Sequence, residues 1–310
     1  MNMYPNSQIQ PGDIPLDIRS DPIFKAVFTK EVPAAKGALS NLVSALIGRK
    51  VVVISILANE QPIDGLGDRK LRYDIKCKAE DGELINVEMG LNTRAYEPLR
   101  MEFHTGRLYT TQEISGKGKT YKHLKETYHI SILAKRSFFN DGVFLHTFKY
   151  YDPEHKISLN GRTRIITLEL CKLEGIVEKP ADELSPAERW AVFFEYLTDE
   201  GRRDKINEIV KFEEGIAMAN EVLMTISADE KERYRLLDEE SQLMTYYSDL
   251  EEAMDEGLEK GEAIGLEKGE AIGLERKSRE IAQNMKGMGF SAEQILSVTG
   301  VELNESPSPA

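Results

Sequence analysis

Along the first 60 residues apolar positions recur every three or four places and then crowd into a continuous run. In "SDPIFKAVF" the stripe Phe24, Val27 and Phe28 predicts a helix with Ser20 as its N-cap and Pro22 in the first turn, where a missing N–H does no harm. Leu39, Leu42, Val43 and Leu46 predict a second helix from about Pro33 to Ile47, stopped by Gly48. The β-branched run "VVVISILA" then reads as a strand apolar enough to be central.

Between residues 71 and 91 the period becomes two. Leu71, Tyr73, Ile75 and Cys77 point one way and Arg72, Asp74, Lys76 and Lys78 the other; on the next strand Ile85, Val87 and Met89 oppose Asn86, Glu88 and Gly90. A two-residue Asp81-Gly82 turn would set Asp74 on the face of Met89, against the patterning. A three-residue loop, Glu80-Asp81-Gly82, puts glycine at the left-handed position and brings Asp74 opposite Glu88. Opposed β-carbons lie roughly 4.5–5.5 Å apart, so the two carboxylates repel unless a cation sits between them. Hard oxygens from neighbouring strands suit Mg2+. The plainer reading is a solvent-facing hairpin with exposed acids.

Residues 96 to 115 predict a helix on which Arg100, His104 and Arg107 share a face. "YHISILA" reads as a buried strand, and "GVFLHTFKYY" with "TRIITLELCKL" as two further strands forming a hairpin about a polar turn. A helical region runs from Ser185 to about residue 250. The octad "GLEKGEAI" then occurs twice, followed by "GLERKSRE", with five glycines from Gly257 to Gly273 at every fourth position. Such a segment is either a flexible tether or a helix whose glycine stripe lets a partner helix approach. A last helical hairpin carries Ser291 as N-cap and Gln294 at the capping-box position, ending at Gly300. The order of elements is that of an α/β layer with a mixed sheet. The expected organisation is 1–180, 181–250, 251–276 and 277–305.

The formal net charge of -13 argues against a polyanion as partner until it is divided along the chain. Residues 1–180 carry 26 Lys and Arg against 22 Asp and Glu, whereas residues 181–310 carry 14 against 31. A polyanion would therefore be met by the first part. Two cysteines, Cys77 and Cys171, make no disulfide framework, and the start has neither the basic cluster nor the apolar run of a signal peptide. No segment approaches the length of a membrane span, so a cytoplasmic protein is expected.

Together "SDPIFKAVF", "YDIKCKAEDGELINVEMG", the helix with "RLYTTQ" and the tail "MGFSAEQILSVTG" resemble the PD-(D/E)XK nuclease family of transposases, the recombination-promoting nucleases. The resemblance implies a restriction-endonuclease-like mixed central sheet flanked by helices, here followed by an α-helical C-terminal region, and cleavage of DNA with Mg2+, for which Mn2+ substitutes. It makes Asp74 and Glu88 the metal ligands and places at position 90 a Gln or Lys that would orient water and stabilise developing charge. Here that residue is Gly90. An inactive member, an introduced substitution, or a role taken over by another residue such as Lys76 are all open. Asp21 matches an acidic position of the family and suits an outer contact to the site; Arg100 and Arg107 suit phosphate contacts, Tyr109 packing, and Gln112 a supporting contact. His104 has no partner visible in the sequence. The glycine stripe and apolar Leu258, Ile264, Leu266, Ile272 and Leu274 lead to an expected homo-oligomer through the C-terminal region.

Overall fold

The computed structural model describes residues 8–57, 74–90, 96–114, 118 and 120–302, apart from the side chain of residue 251. Leu71, Arg72 and Tyr73 of the predicted hairpin lie outside the described residues, as does the end of the predicted C-terminal segment beyond 302. Helices α1 (Asp21–Thr29) and α2 (Pro33–Ile47) precede strands β1 (Val53–Ile56), β2 (Ile75–Ala79) and β3 (Leu84–Gly90). Then come α3 (Glu97–Thr110), β4 (Thr127–Leu133), β5 (Leu145–Phe148), the two-residue strands β6 (Tyr151–Asp152) and β7 (Ile157–Ser158), and β8 (Thr163–Glu169). Helices α4 (Pro186–Tyr196), α5 (Arg203–Phe212), α6 (Glu214–Ala228), α7 (Glu230–Gly287) and α8 (Ala292–Thr299) follow.

Six strands make one sheet in the order β1-β2-β3-β4-β8-β5, with β3, β4 and β8 parallel and the remaining neighbours antiparallel. This is the mixed central sheet flanked by helices that the sequence predicts. Ile75 pairs with Val87 and Lys76 with Asn86, so the hairpin takes the three-residue loop and Asp74 falls in line with Glu88. Gly82 sits at φ 86°, the left-handed region in which a Cβ is unfavourable, and its N–H donates to the Ala79 carbonyl at 2.9 Å.

Strand β1 corrects the sequence reading. It is not central but, among the described residues, an edge strand paired only with β2, and Ile54 remains 45 % exposed. Its β-branched residues mark a strand, but composition carries no record of how many neighbours the strand acquires. Strand β4 is the buried centre, flanked by β3 and β8. The predicted hairpin is present as β5 antiparallel to β8.

One face of the sheet carries Ile75, Cys77, Ile85, Val87, Ile130 and Ile132 into a core shared with α1, α2 and α4–α6. The boundary expected at residue 180 therefore does not separate two cores. Phe24, Phe28, Trp190, Phe193 and Phe194 pack at its centre, and Trp190 Nε1 donates to Asn41 Oδ1 at 2.8 Å. The opposite face is covered by α3, which packs on β3, β4 and β8. Ser20 stands at the N-cap position of α1, but its side chain makes no capping bond.

The chain divides into compact units at residues 1–240 and 241–310. The octad is wholly helical, part of the 58-residue α7. Gly257, Gly261, Gly265, Gly269 and Gly273 each have open space where a Cβ would stand. Helix α8 has the predicted Ser291/Gln294 capping box and ends at Gly300, φ 68°. Among the described residues no helix is long and apolar enough to cross a membrane.

Candidate active site

Three carboxylates gather where β2 begins and β3 ends. Asp74 leads into β2, Glu88 lies near the end of β3, and Asp21 opens α1. One turn further along α1, Lys25 Nζ reaches both Asp21 Oδ2, at 2.9 Å, and Asp74 Oδ1, at 3.2 Å. The Met89 N–H donates to Asp74 Oδ2 at 3.1 Å, tying the carboxylate to the partner strand. The remaining oxygen of Asp21, Oδ1, is buried and has no hydrogen-bond partner among the described residues.

Glu88 is far from the solvent-facing acid of the plainer sequence reading, because α3 lies over it and leaves its side chain 2 % exposed. Arg100 donates from Nη1 and Nη2 to Oε2 at 2.7 and 2.5 Å. His104 Nδ1 lies 2.8 Å from Oε1, and Asn86 Nδ2 donates to the same oxygen at 2.8 Å. Behind them His129, wholly buried on β4, has Nδ1 3.2 Å from Asn86 Nδ2 and Nε2 4.0 Å from Glu88 Oε2. Alternation places these groups together: Asn86 and Glu88 on β3 are in register with His129 and Ser131 on β4, so all four face α3.

The two acids respond to these surroundings in opposite directions. Burial, then the neighbouring charges of Asp21 and Glu88, push the Asp74 carboxyl up to about 8, against the pull of Lys25. Burial also works against ionised Glu88, but His129, His104 and Arg100 outweigh it and hold that carboxyl below the usual range. Burial drives His129 down to about 4, so its ring is neutral at pH 7. A carboxylate disfavoured by other carboxylates, beside a buried oxygen with no donor, suits a further cation. Asp74 and Glu88, hard-oxygen donors in line across β2 and β3, suit a divalent metal as a pair, while Asp21 reaches Asp74 through Lys25.

The other predicted residues divide. Lys76 pairs in register with Asn86, one pleat from Asp74, and partial burial lowers its pKa. Gly90 ends β3 opposite Leu133, next along the α3 face from Glu88. Arg100 and His104 both reach Glu88, so Arg100 is spent on a buried carboxylate as well as on Glu97, whose Oε1 lies 3.2 Å from its Nε. Arg107 does not join them; it is exposed near the far end of α3. Gln112 lies outside the site. It donates to the Lys125 carbonyl at 3.0 Å and accepts from the Lys125 N–H at 2.7 Å, fastening the end of α3 to the start of β4.

Sequence reasoning missed Lys25, Asn86 and His129, and left His104 without a role. Lys25 is four residues from Asp21, a spacing that could have suggested the pair. His129 and Ser131 alternate with apolar residues in "YHISILA", a polar face inside a buried strand, and that signal was present.

A family model described as PD-(D/E)XK nuclease family transposase matches residues 18–256, a span that holds every residue of this site. No curated protein and no solved structure matches the chain.

Proposed function

The chain belongs to the PD-(D/E)XK nuclease family transposases, and from that premise we propose that it is a DNA endonuclease whose divalent metal, Mg2+ or Mn2+ in its place, is held by Asp74 and Glu88. The observation that carries this reading is the register that sets Asp74 in line with Glu88, with Asp21 joined to Asp74 through Lys25 and the Asp74 carboxyl pushed up first by burial and then by its acidic neighbours. When bound, the metal polarises the scissile phosphate and acidifies water. Asp74 and Glu88 would hold it, while Arg100 and His104 keep Glu88 ionised and fixed in direction. Asp21 and Lys25 adjust the charge at Asp74. Lys76, on the same face, is the side chain placed to stabilise developing charge in the role for which Gly90 has no group. Supercoiled plasmid incubated with the chain and Mg2+ or Mn2+ should be nicked, and nicking should be lost with a chelator and in Asp74→Asn.

A second reading is favoured by the ion pairs themselves. Lys25 and Arg100 already neutralise the two ligands, and Gly90 offers no catalytic side chain. On that reading the chain binds DNA without cutting it. Salt-sensitive binding with no cleavage under any metal would select it over the first.

We further place the protein in the cytoplasm, which suits two free cysteines, and propose that residues 251–305 mediate self-association. Leu258, Leu266, Ile272 and Leu274 are each more than half exposed beside the open glycine stripe. Removing residues 251–310 is expected to lower the mass measured by light scattering to that of a smaller assembly; an unchanged subunit number would assign the segment no part in association.

A further inference from the structure

We propose that Glu88, His104 and His129 form a metal site of mixed oxygen and nitrogen donors that takes a borderline transition-metal dication, Co2+ or Zn2+, in preference to Mg2+. The inference shares with the preceding reading only the assignment of Glu88 as a ligand. The ligand atoms of these three buried side chains all lie within 4.8 Å of one another. Asp74 belongs to no such group of three among the described residues, so the imidazole side of Glu88 is distinct from the hard-oxygen side.

The spacing suits one ion. Two donors each about 2.0–2.1 Å from a tetrahedral metal stand roughly 3.3 Å apart. The separations from the two Glu88 oxygens, 2.8 Å from Oε1 to His104 Nδ1 and 4.0 Å from Oε2 to His129 Nε2, fall on either side of that figure, so one ion would draw a single oxygen between the two rings. Imidazole nitrogens favour Zn2+ and Co2+, whereas Mg2+ prefers oxygen and keeps its waters.

Two atoms with no hydrogen-bond partner point to the ligand independently. Among the described residues, His129 Nε2 and Asn86 Oδ1 are both buried and have no hydrogen-bond partner. Asn86 Nδ2 faces His129 Nδ1, so the neutral ring carries its proton on Nε2, directed at Glu88. With a metal on Nε2 the proton moves to Nδ1, and a turned Asn86 amide accepts a hydrogen bond from that N–H through Oδ1, giving up the bond from Nδ2 to Glu88 Oε1. Both atoms are then satisfied. Asn86 is thereby a positioning residue, supplying the carbonyl that typically orients a metal-bound histidine. Arg100, 38 % exposed, is the competitor that must leave Glu88 Oε2.

The full chain should be titrated with Co2+, followed by visible absorption, and with Mg2+ by calorimetry. Saturable Co2+ binding is expected, weakened about tenfold or more by His104→Gln and by a larger factor than Mg2+ binding, since His104 would ligate the first ion and only orients Glu88 for the second. Asp74→Asn should do the reverse. Arg100→Met keeps all three donors and removes a competing charge, so Co2+ should bind about tenfold tighter, a gain that misfolding could not produce. Absence of saturable Co2+ binding, or an affinity unmoved by both His104→Gln and Arg100→Met, overturns the imidazole site. Co2+ binding that depends on His104 in a chain that takes up no Mg2+ would uphold this site while removing the Asp74–Glu88 reading.

Discussion

Replacing Gly90 by glutamine is expected to raise metal-dependent DNA cleavage by about 10²-fold, the scale on which a single well-placed donor to developing charge acts. Gly90 follows Glu88 along the face of β3 that looks towards α3, so an amide there would project beside the proposed metal ligands. The backbone does not require glycine, since Gly90 is not among the residues with positive φ. A Cβ would meet the Ile132 carbonyl oxygen at 3.6 Å and Leu133 Cδ2 at 3.8 Å, both ordinary contacts. The strand should accept the larger side chain, and because glycine weakens a strand interior, the variant should melt no lower than the parent chain. Rates of plasmid nicking for the parent, Gly90→Gln and Asp74→Asn chains, measured with the same metal, test the point. If Gly90→Gln cuts no faster than Asp74→Asn, the missing side chain is not what limits cleavage and the catalytic assignment of this face fails.

Trp190→Ala is expected to cost about 3–5 kcal/mol of folding stability, a large share of what a typical domain possesses. The indole is wholly buried, with its ring centroid 5.9 Å from that of Phe28 and 5.4 Å from that of Phe194. Its N–H satisfies Asn41 Oδ1, so truncation opens a cavity and removes a donor together. Phe24 and Phe28 belong to α1, the helix that also presents Asp21 and Lys25 to Asp74. A loosened aromatic cluster should therefore disturb the carboxylate group at the opposite side of that helix. Trp190→Phe, which keeps most of the ring contact, should cost less. Denaturant midpoints for the two variants provide the measurement, and a loss below about 1 kcal/mol for Trp190→Ala would show that the cluster does not anchor α1.

The β2–β3 hairpin was legible in the sequence because alternation and a left-handed glycine leave one register that keeps both apolar sets on one face. The ends of α2 and α8 were legible for a similar reason: Gly48 and Gly300 adopt the left-handed conformation at helix termini, a local requirement. The position of β1 was not, since its residues specify a strand while the partner count depends on the path of the whole chain. Arg100 shows the same limit at the site. Helical spacing relates it to His104, but only the packing of α3 across β3 reveals that both converge on Glu88. Lys25 and Asp74 are separated by 49 positions, and no local pattern joins them. Asp74 and Glu88 could be found from one hairpin; Asp21 and the cations that hold the acids come from helices whose placement is tertiary.

The pairing of Lys25 with Asp21 and Asp74, and of Arg100 with Glu88, means that the protein carries its own counter-ions at this cluster. Uptake of a dication would be an exchange of charge, with two side-chain cations given up and, because the Asp74 carboxyl is pushed up to about 8, a proton released as well. The released ammonium and guanidinium would then be free to face a phosphate backbone. Metal and polyanion would thus be thermodynamically linked, each raising the affinity for the other by the same factor. Metal loading would add up to two phosphate-neutralising groups, steepening the salt dependence of duplex binding by a slope of about 0.9 for each.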